Sequence, residues 1–338
     1  MANLSRNTEE LAWWVALHSA GHIGPAAFHR LLRKFGSPQA ALLSATPDAL
    51  QGLPGADSSL LDSLTFAAIR IDYTRRLVER LLDRGVQILT PGDPAFPPPL
   101  AKLKWPPGLL YMHGRYIPAD ARSVGIIGST QASAVGFSAA YRAANALAAR
   151  GFTIVSGAAR GIDTAAHTGA LDAGGRTIFV LPLGILNFHP LVESHPGKLE
   201  RNAVILSELP PEAPWETRGA LTRNRITAAL SERIFVAEAQ LASGTLHTFN
   251  IASKLGIPAM AAVYRLNAPE GNLAAISAGA APVRSVAELL HAASSKDAAP
   301  APVQQSFDWD SADGNIRADA DIRADADIRA DHQDHQPE

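Results

Sequence analysis

The chain has 338 residues, 47% of them hydrophobic and 18% charged, enough to bury a sizeable core and to form about two domains. It contains no cysteine, which excludes thiol nucleophiles, iron–sulfur clusters, zinc knuckles and a disulfide framework, and makes a cytoplasmic address the expectation. The net charge of −2 is unevenly spread: residues 299–338 hold ten acids against three arginines, so the tail is −7 and the first 298 residues are +5. That asymmetry is compatible with a polyanion ligand and with masking of its site by the tail.

In chain order, the first 21 residues place acids ahead of a short apolar stretch, and no apolar run long enough to span a membrane follows, so neither a signal peptide nor a membrane span is expected. Leu11, Trp14, Val15 and Leu17 form an apolar stripe, Gly21, Gly24 and Pro25 break it, and Phe28, Leu31, Leu32 and Phe35 resume at helical spacing until Gly36–Ser37–Pro38. Residues 1–65 are therefore expected to be a small helical domain. Its two helices around a glycine turn resemble a helix-hairpin-helix unit, whose turn amides can hold a phosphate. A further helix over about 66–83 (Phe66, Ile69, Tyr73, Leu77, Leu81), the apolar run Val86–Leu89 and a proline-rich connector fill residues 66–120, because repeated prolines forbid helix interior and central strand.

From residue 121 to 295 apolar runs, glycine turns and helices alternate, with strands expected near 122–128, 152–156, 176–182, 203–209, 233–239 and 258–264. Helices are expected over 133–150, 162–173, 222–230 and 244–255. Such alternation implies an α/β fold with a doubly wound, mainly parallel sheet, which places its ligand outside the C-terminal strand ends. Residues 296–338 contain Ile-Arg-Ala-Asp-Ala-Asp twice, then Ile-Arg-Ala-Asp, and so few Asp- and Ala-rich copies cannot stack a core, so disorder is the expected state.

Three glycine turns fall where strands should end. In the first, Gly128, Ser129 and Thr130 can turn amides and hydroxyls toward an anion, although the glycines lack dinucleotide-fingerprint spacing. The second, Ser156-Gly157-Ala158-Ala159-Arg160-Gly161-Ile162-Asp163, joins glycines that permit close backbone approach to an arginine that can fork onto phosphate. Asp163 reads as the cap of the following helix rather than as a catalytic acid, and His167 as a packed, hydrogen-bonded histidine rather than a general base. The third turn supplies Ser243, Gly244 and Thr245 after Glu238. Between them Arg223, Asn224 and Arg225 stand at an expected helix start, well suited to bidentate phosphate contact or base stacking. No nucleophile elbow, P-loop or zinc-protease motif occurs, and neither a metal nor a cofactor is expected.

Taken together, residues 125–129, 156–163, 166–178, 223–231 and 238–246, with the proline-rich run before the sheet and residues 271–283 after it, resemble the DNA-processing protein A (DprA/Smf) family. The resemblance covers about residues 91–290. It implies a Rossmann-like, cytoplasmic, dimeric protein without an established reaction, which binds single-stranded DNA and loads the recombinase RecA during natural transformation. Its binding residues carry over to Ser129, Gly157, Arg160, Gly161, Arg223, Asn224, Arg225, Ser243 and Gly244. The chain departs from the family pattern at Thr130, where an arginine is usual, at Ala220–Leu221 in place of Phe-Pro, at His189 in place of Tyr, and in ending on the Asp-rich repeat where many members have a winged helix. A second reading, a nucleotide sensor or nucleoside-phosphate hydrolase, draws on Thr130, on the Ser243–Thr245 turn and on Glu238 as candidate acid or base.

Overall fold

A computed structural model describes residues 7–21, 23–55, 57–190 and 196–295; the repeats of the tail lie outside the described residues. The N-terminal part is helical: α1 (Thr8–Ser19), α2 (Pro25–Phe35), α3 (Pro38–Leu43), α4 (Pro47–Leu50), α5 (Ser58–Ile69) and α6 (Ile71–Asp83). Local chemistry sets these ends. Asn7, Ser37, Thr46 and Asp57 each accept a backbone N–H as N-caps, proline opens α2, α3 and α4, and Gly36 closes α2 in the left-handed conformation. The single helix expected over 66–83 is instead two, broken at Arg70. The break changes the buried register, so α5 buries Leu60, Leu64 and Ala67 and α6 buries Leu77, Val78 and Leu81, while Phe66 and Ile69 are left exposed.

The remainder follows the order β1 (Val86–Leu89), α7 (Pro98–Ala101), β2 (Leu110–His113), β3 (Ser123–Gly128), α8 (Ala134–Ala148), β4 (Thr153–Ser156), α9 (Ile162–Asp172), β5 (Thr177–Val180), α10 (Pro196–Asn202), β6 (Ala203–Ser207), α11 (Thr217–Ala229), β7 (Arg233–Glu238), α12 (Gly244–Lys254), β8 (Ala259–Ala262), α13 (Glu270–Ser277), β9 (Ala281–Val283) and α14 (Val286–Ser294). Among the described residues these strands form one sheet in the order β1-β2-β6-β5-β4-β3-β7-β8-β9, parallel from β6 to β9 and closed at the other edge by the antiparallel β1–β2 pair. The proline-rich stretch is thus not only a connector. Its prolines start α7 or lie in loops, and the buried Leu109–Met112 run immediately after them pairs between β1 and β6.

Parity along the strands separates two faces. Helices α8, α9 and α14 cover Val124, Ile126 and Phe235, whereas α11 and α12 cover Ile178, Val180, Ile234 and Val236. The helical part shares one core with the sheet, Leu17, Phe28, Leu64 and Leu81 being continuous with Tyr111, Phe179 and Leu181. Glu212, in the loop before α11, also accepts hydrogen bonds from Tyr73 and Arg80 of α6. From β3 the chain winds through β4 and β5 to β6, then returns to β7 on the opposite side of β3. The topological switch therefore lies between β3 and β7, and the crevice at their C-terminal ends is where such a sheet holds its ligand.

Candidate nucleic-acid interface

The crevice is a groove of about 290 Å³ lined by the turns after β3, β4 and β7 and by one face of α11. Gly128, Ser129, Thr130, Gly157, Arg223, Asn224, Ser243, Gly244 and Thr245 all line it, although they come from four separate segments of sequence. Two backbone bonds lock the turns together: Ser129 N–H donates to the Glu238 carbonyl (2.8 Å) and Ile162 N–H to the Ser129 carbonyl (3.1 Å). Ser243 caps α12 by accepting from Leu246 N–H, and Asn224 Nδ2 donates to the Gly244 carbonyl at 3.3 Å, which fixes α11 against the start of α12.

Arg223 dominates the electrostatics of the groove. It is 9% exposed, its Nη1 lies 3.9 Å from Asp163 Oδ2, and its buried Nε has no hydrogen-bond partner. Thr227, one turn further along the same face of α11, also lines the groove and carries a buried hydroxyl without a partner. Buried polar groups are ordinarily satisfied, so two orphan groups beside three amide-bearing turns mark a surface built for a polar, anionic ligand. Burial holds the Arg223 pKa below the usual arginine value against the pull of Asp163, and the same burial raises Asp163 against the pull of Arg223. Sequence reasoning missed Thr227, which its i+4 spacing from Arg223 could have revealed, and Trp215, 61% exposed in the groove lining.

Several expected site residues serve the groove from behind or stand apart from it. Ser156 is buried, its Oγ 2.6 Å from the Ile126 carbonyl and 2.9 Å from Asp163 Oδ1. Asp163 is not the cap of α9: Gly161 holds that position, and Asp163 sits in the first turn accepting from Ser156 and from Ala159 N–H. Arg160 lies on the exposed tip of its turn, outside the groove lining. The run Arg223–Arg225 is in the middle of α11, not at a helix start, because the helix begins six residues earlier at Thr217. As a consequence Arg225 faces away from the groove, pairing with Glu208 and donating to the Trp105 carbonyl at 3.1 Å. Burial pushes Glu208 up to about 7 although Arg225 pulls it down.

Glu238 stands outside the groove lining. Both its oxygens accept from Ser133 N–H and one from Ser133 Oγ, so the carboxylate is bound at the start of α8 and lines a separate cavity with Tyr264 and Asn267. Among the described residues no group of three histidine, aspartate or glutamate side chains could hold a metal ion.

His167 positions the second turn. Its Nε2–H donates to the Gly157 carbonyl at 2.6 Å, Nδ1 lies 2.6 Å from Thr177 Oγ1, and the ring stacks on Phe179 with centroids 3.6 Å apart. Burial drops its pKa to about 3, so the folded ring is neutral. Because the unfolded chain binds the proton first, this residue's contribution to stability is complete above pH 6.5 and is lost as pH falls toward 3. The expected result is a loss of about 2 kcal/mol between pH 6.5 and pH 5 from this site. Urea unfolding across that range should show the dependence, and His167→Gln should show that much less of it; equal slopes would contradict the assignment.

The groove can be set beside known proteins. The sequence profile of the family described as DNA recombination-mediator protein A matches residues 87–294, which include every groove residue. The chain belongs to this family. A second profile, the DprA-like N-terminal HHH domain, matches residues 8–57 and accounts for α1 to α4. Among DNA recombination-mediator A relatives, Protein Smf of Synechocystis sp. is 33% identical over 250 residues, 72% of this chain and 62% of the relative. Protein Smf of Escherichia coli is 34% identical over 209 residues, 60% of this chain and 54% of the relative. The chain thus spans little more than half the length of these relatives. In structure it resembles DNA processing protein A from Streptococcus pneumoniae, with a TM-score of 0.67 and 25% identity over 85% of this chain and 98% of that one. It also resembles DNA processing protein A from Helicobacter pylori, whose structure is described in terms of a unique single-stranded DNA binding mode, with a TM-score of 0.53 and 27% identity over 61% of this chain and 94% of that one. No helix of the described residues is long and apolar enough to cross a membrane.

Proposed function

We propose that this protein binds the backbone of single-stranded DNA in the β3–β7 groove and acts as a cytoplasmic recombination mediator that loads RecA onto incoming strands. The observation that carries the reading is Arg223, a buried guanidinium with an unpartnered Nε set among three glycine turns. Phosphates accept from backbone amides and arginine without regard to sequence, and the exposed ring of Trp215 offers a base a surface to stack on. On this reading the protein works by binding; Glu238, the acid considered for hydrolysis, accepts from Ser133 at the start of α8 and does not line the groove. Dimerisation is part of the proposal, and the exposed Leu241 after β7, Leu266 after β8 and Leu273 in α13 are apolar side chains a second copy would cover.

The test is fluorescence anisotropy of a labelled ~40-nucleotide single strand over a salt series, beside a duplex of equal length. Binding that prefers the single strand and weakens steeply with salt is the expected result. Absence of binding at low salt by the folded protein, with and without residues 299–338, would overturn the reading in favour of a small nucleotide ligand.

A further inference from the structure

Residues 11–47, 94–119 and 217–231 are three of the stretches of this chain that contain no acid. They hold Arg30, Arg33 and Lys34 in the first, Lys102, Lys104 and Arg115 in the second, and Arg218, Arg223 and Arg225 in the third. They are far apart in sequence, and the fold joins them. His29 of α2 donates through Nε2 to the Pro106 carbonyl at 2.9 Å, and its ring stacks on Trp105 at 6.3 Å between centroids. The Trp105 carbonyl accepts from Arg225 of α11. Arg33 stands one turn beyond His29 on the same side of α2, and Lys102 and Lys104 flank Trp105 in sequence. Arg33, Lys102 and Lys104 are exposed and Arg30 half-exposed, and no carboxylate of the described residues pairs with any of them.

We propose that α2 and the Lys102–Trp105 loop form a second nucleic-acid contact, which takes the phosphate backbone of the single strand after it leaves the groove. The proposal rests on the groove reading for the first part of the strand. Helix α11 connects the two surfaces: Arg223 enters the groove and Arg225, two residues on, buttresses Trp105, so the contacts lie about one helix diameter apart, ~10 Å. Cations on long exposed stems suit a backbone that must be followed rather than read, and the half-buried Trp105, held by His29, offers a ring edge to an unpaired base. The centre is the His29–Trp105 pair, with Arg225 bonded to the Trp105 carbonyl and Arg33, Lys102 and Lys104 close to the pair in sequence.

The experiment compares Arg33→Glu/Lys104→Glu with a charge-matched control, Arg150→Glu/Lys254→Glu, placed two residues after α8 and at the last residue of α12. All four positions are exposed, and melting curves establish that each variant is folded. The probes are labelled single strands of ~8 and ~30 nucleotides and a ~30-base-pair duplex. The expected result is about tenfold weaker binding of the longer strand by the first variant, with a salt slope lower by about 1.4 and the short strand within about twofold of the parent. A loss on the longer strand no greater than the control's would overturn the proposal, and a loss confined to the duplex would replace the single strand with duplex DNA. The groove reading fails separately: it falls if Arg223→Ala leaves both strands bound as before.

Discussion

Alanine in place of Gly161 is expected to lower the unfolding free energy by about 3 kcal/mol and to remove strand binding with it. Gly161 adopts φ 73°, a conformation L side chains rarely hold, and its missing Cβ would lie 2.4 Å from the Ser129 carbonyl oxygen and 2.8 Å from that of Thr130. Both obstacles are backbone, so relief requires separating the first and second turns that together wall the groove. Gly36 supplies the control: its φ is 79° but nothing lies within 4 Å of an added Cβ, so Gly36→Ala reports conformational strain alone, about 1 kcal/mol. Urea unfolding of the two variants separates the terms. Equal destabilisation would show that the crossing of the turns contributes nothing.

Arg223→Ala is expected to weaken binding of a single strand about 10–100-fold and to lower the salt slope by about 0.7, the loss of one charge-assisted phosphate contact. The variant also leaves Asp163 buried without its cation, which by itself destabilises the second turn. Arg223→Ala/Asp163→Asn removes that complication, because the amide carries no charge and keeps its one oxygen toward Ser156, giving up only the 3.3 Å bond from Ala159 N–H to the second carboxylate oxygen. Recovery of stability in the double variant without recovery of affinity assigns the loss to the arginine itself; recovery of both would make Arg223 a structural partner of Asp163 only. Arg160→Ala, at the exposed tip of its turn, should weaken binding by about threefold, in the range of a solvent-screened contact. The ordering of these variants distinguishes a groove that encloses phosphate from a surface that merely attracts it.

The α/β alternation was legible because buried parallel strands are short apolar runs and the glycines that end them are needed for close approach. Residues 123–128, 153–156 and 233–238 could hardly have been placed otherwise. Strand β2 was hidden behind its prolines, whose effect extends only to the residues they occupy and precede, so Leu110–His113 was free to pair. The break at Arg70 was equally hidden, since the apolar spacing on either side fits one helix as well as two.

Within the site, the sequence by itself determined the three turns and the pair of arginines, Arg223 and Arg225, of which one faces them. Backbone permissiveness and hydrogen-bonding capacity belong to residue types, and strand–turn–helix order carries all three turns to one sheet edge. What only the tertiary structure decided is which neighbour each charged side chain meets. Arg223 and Arg225 are two residues apart and look interchangeable on paper. A start at Thr217 rotates one into the groove and the other onto Glu208, while Glu238 is claimed by Ser133, 105 residues before it in the chain. Side-chain partnership depends on helix phase and on contacts between remote segments, and both are fixed only when the core closes.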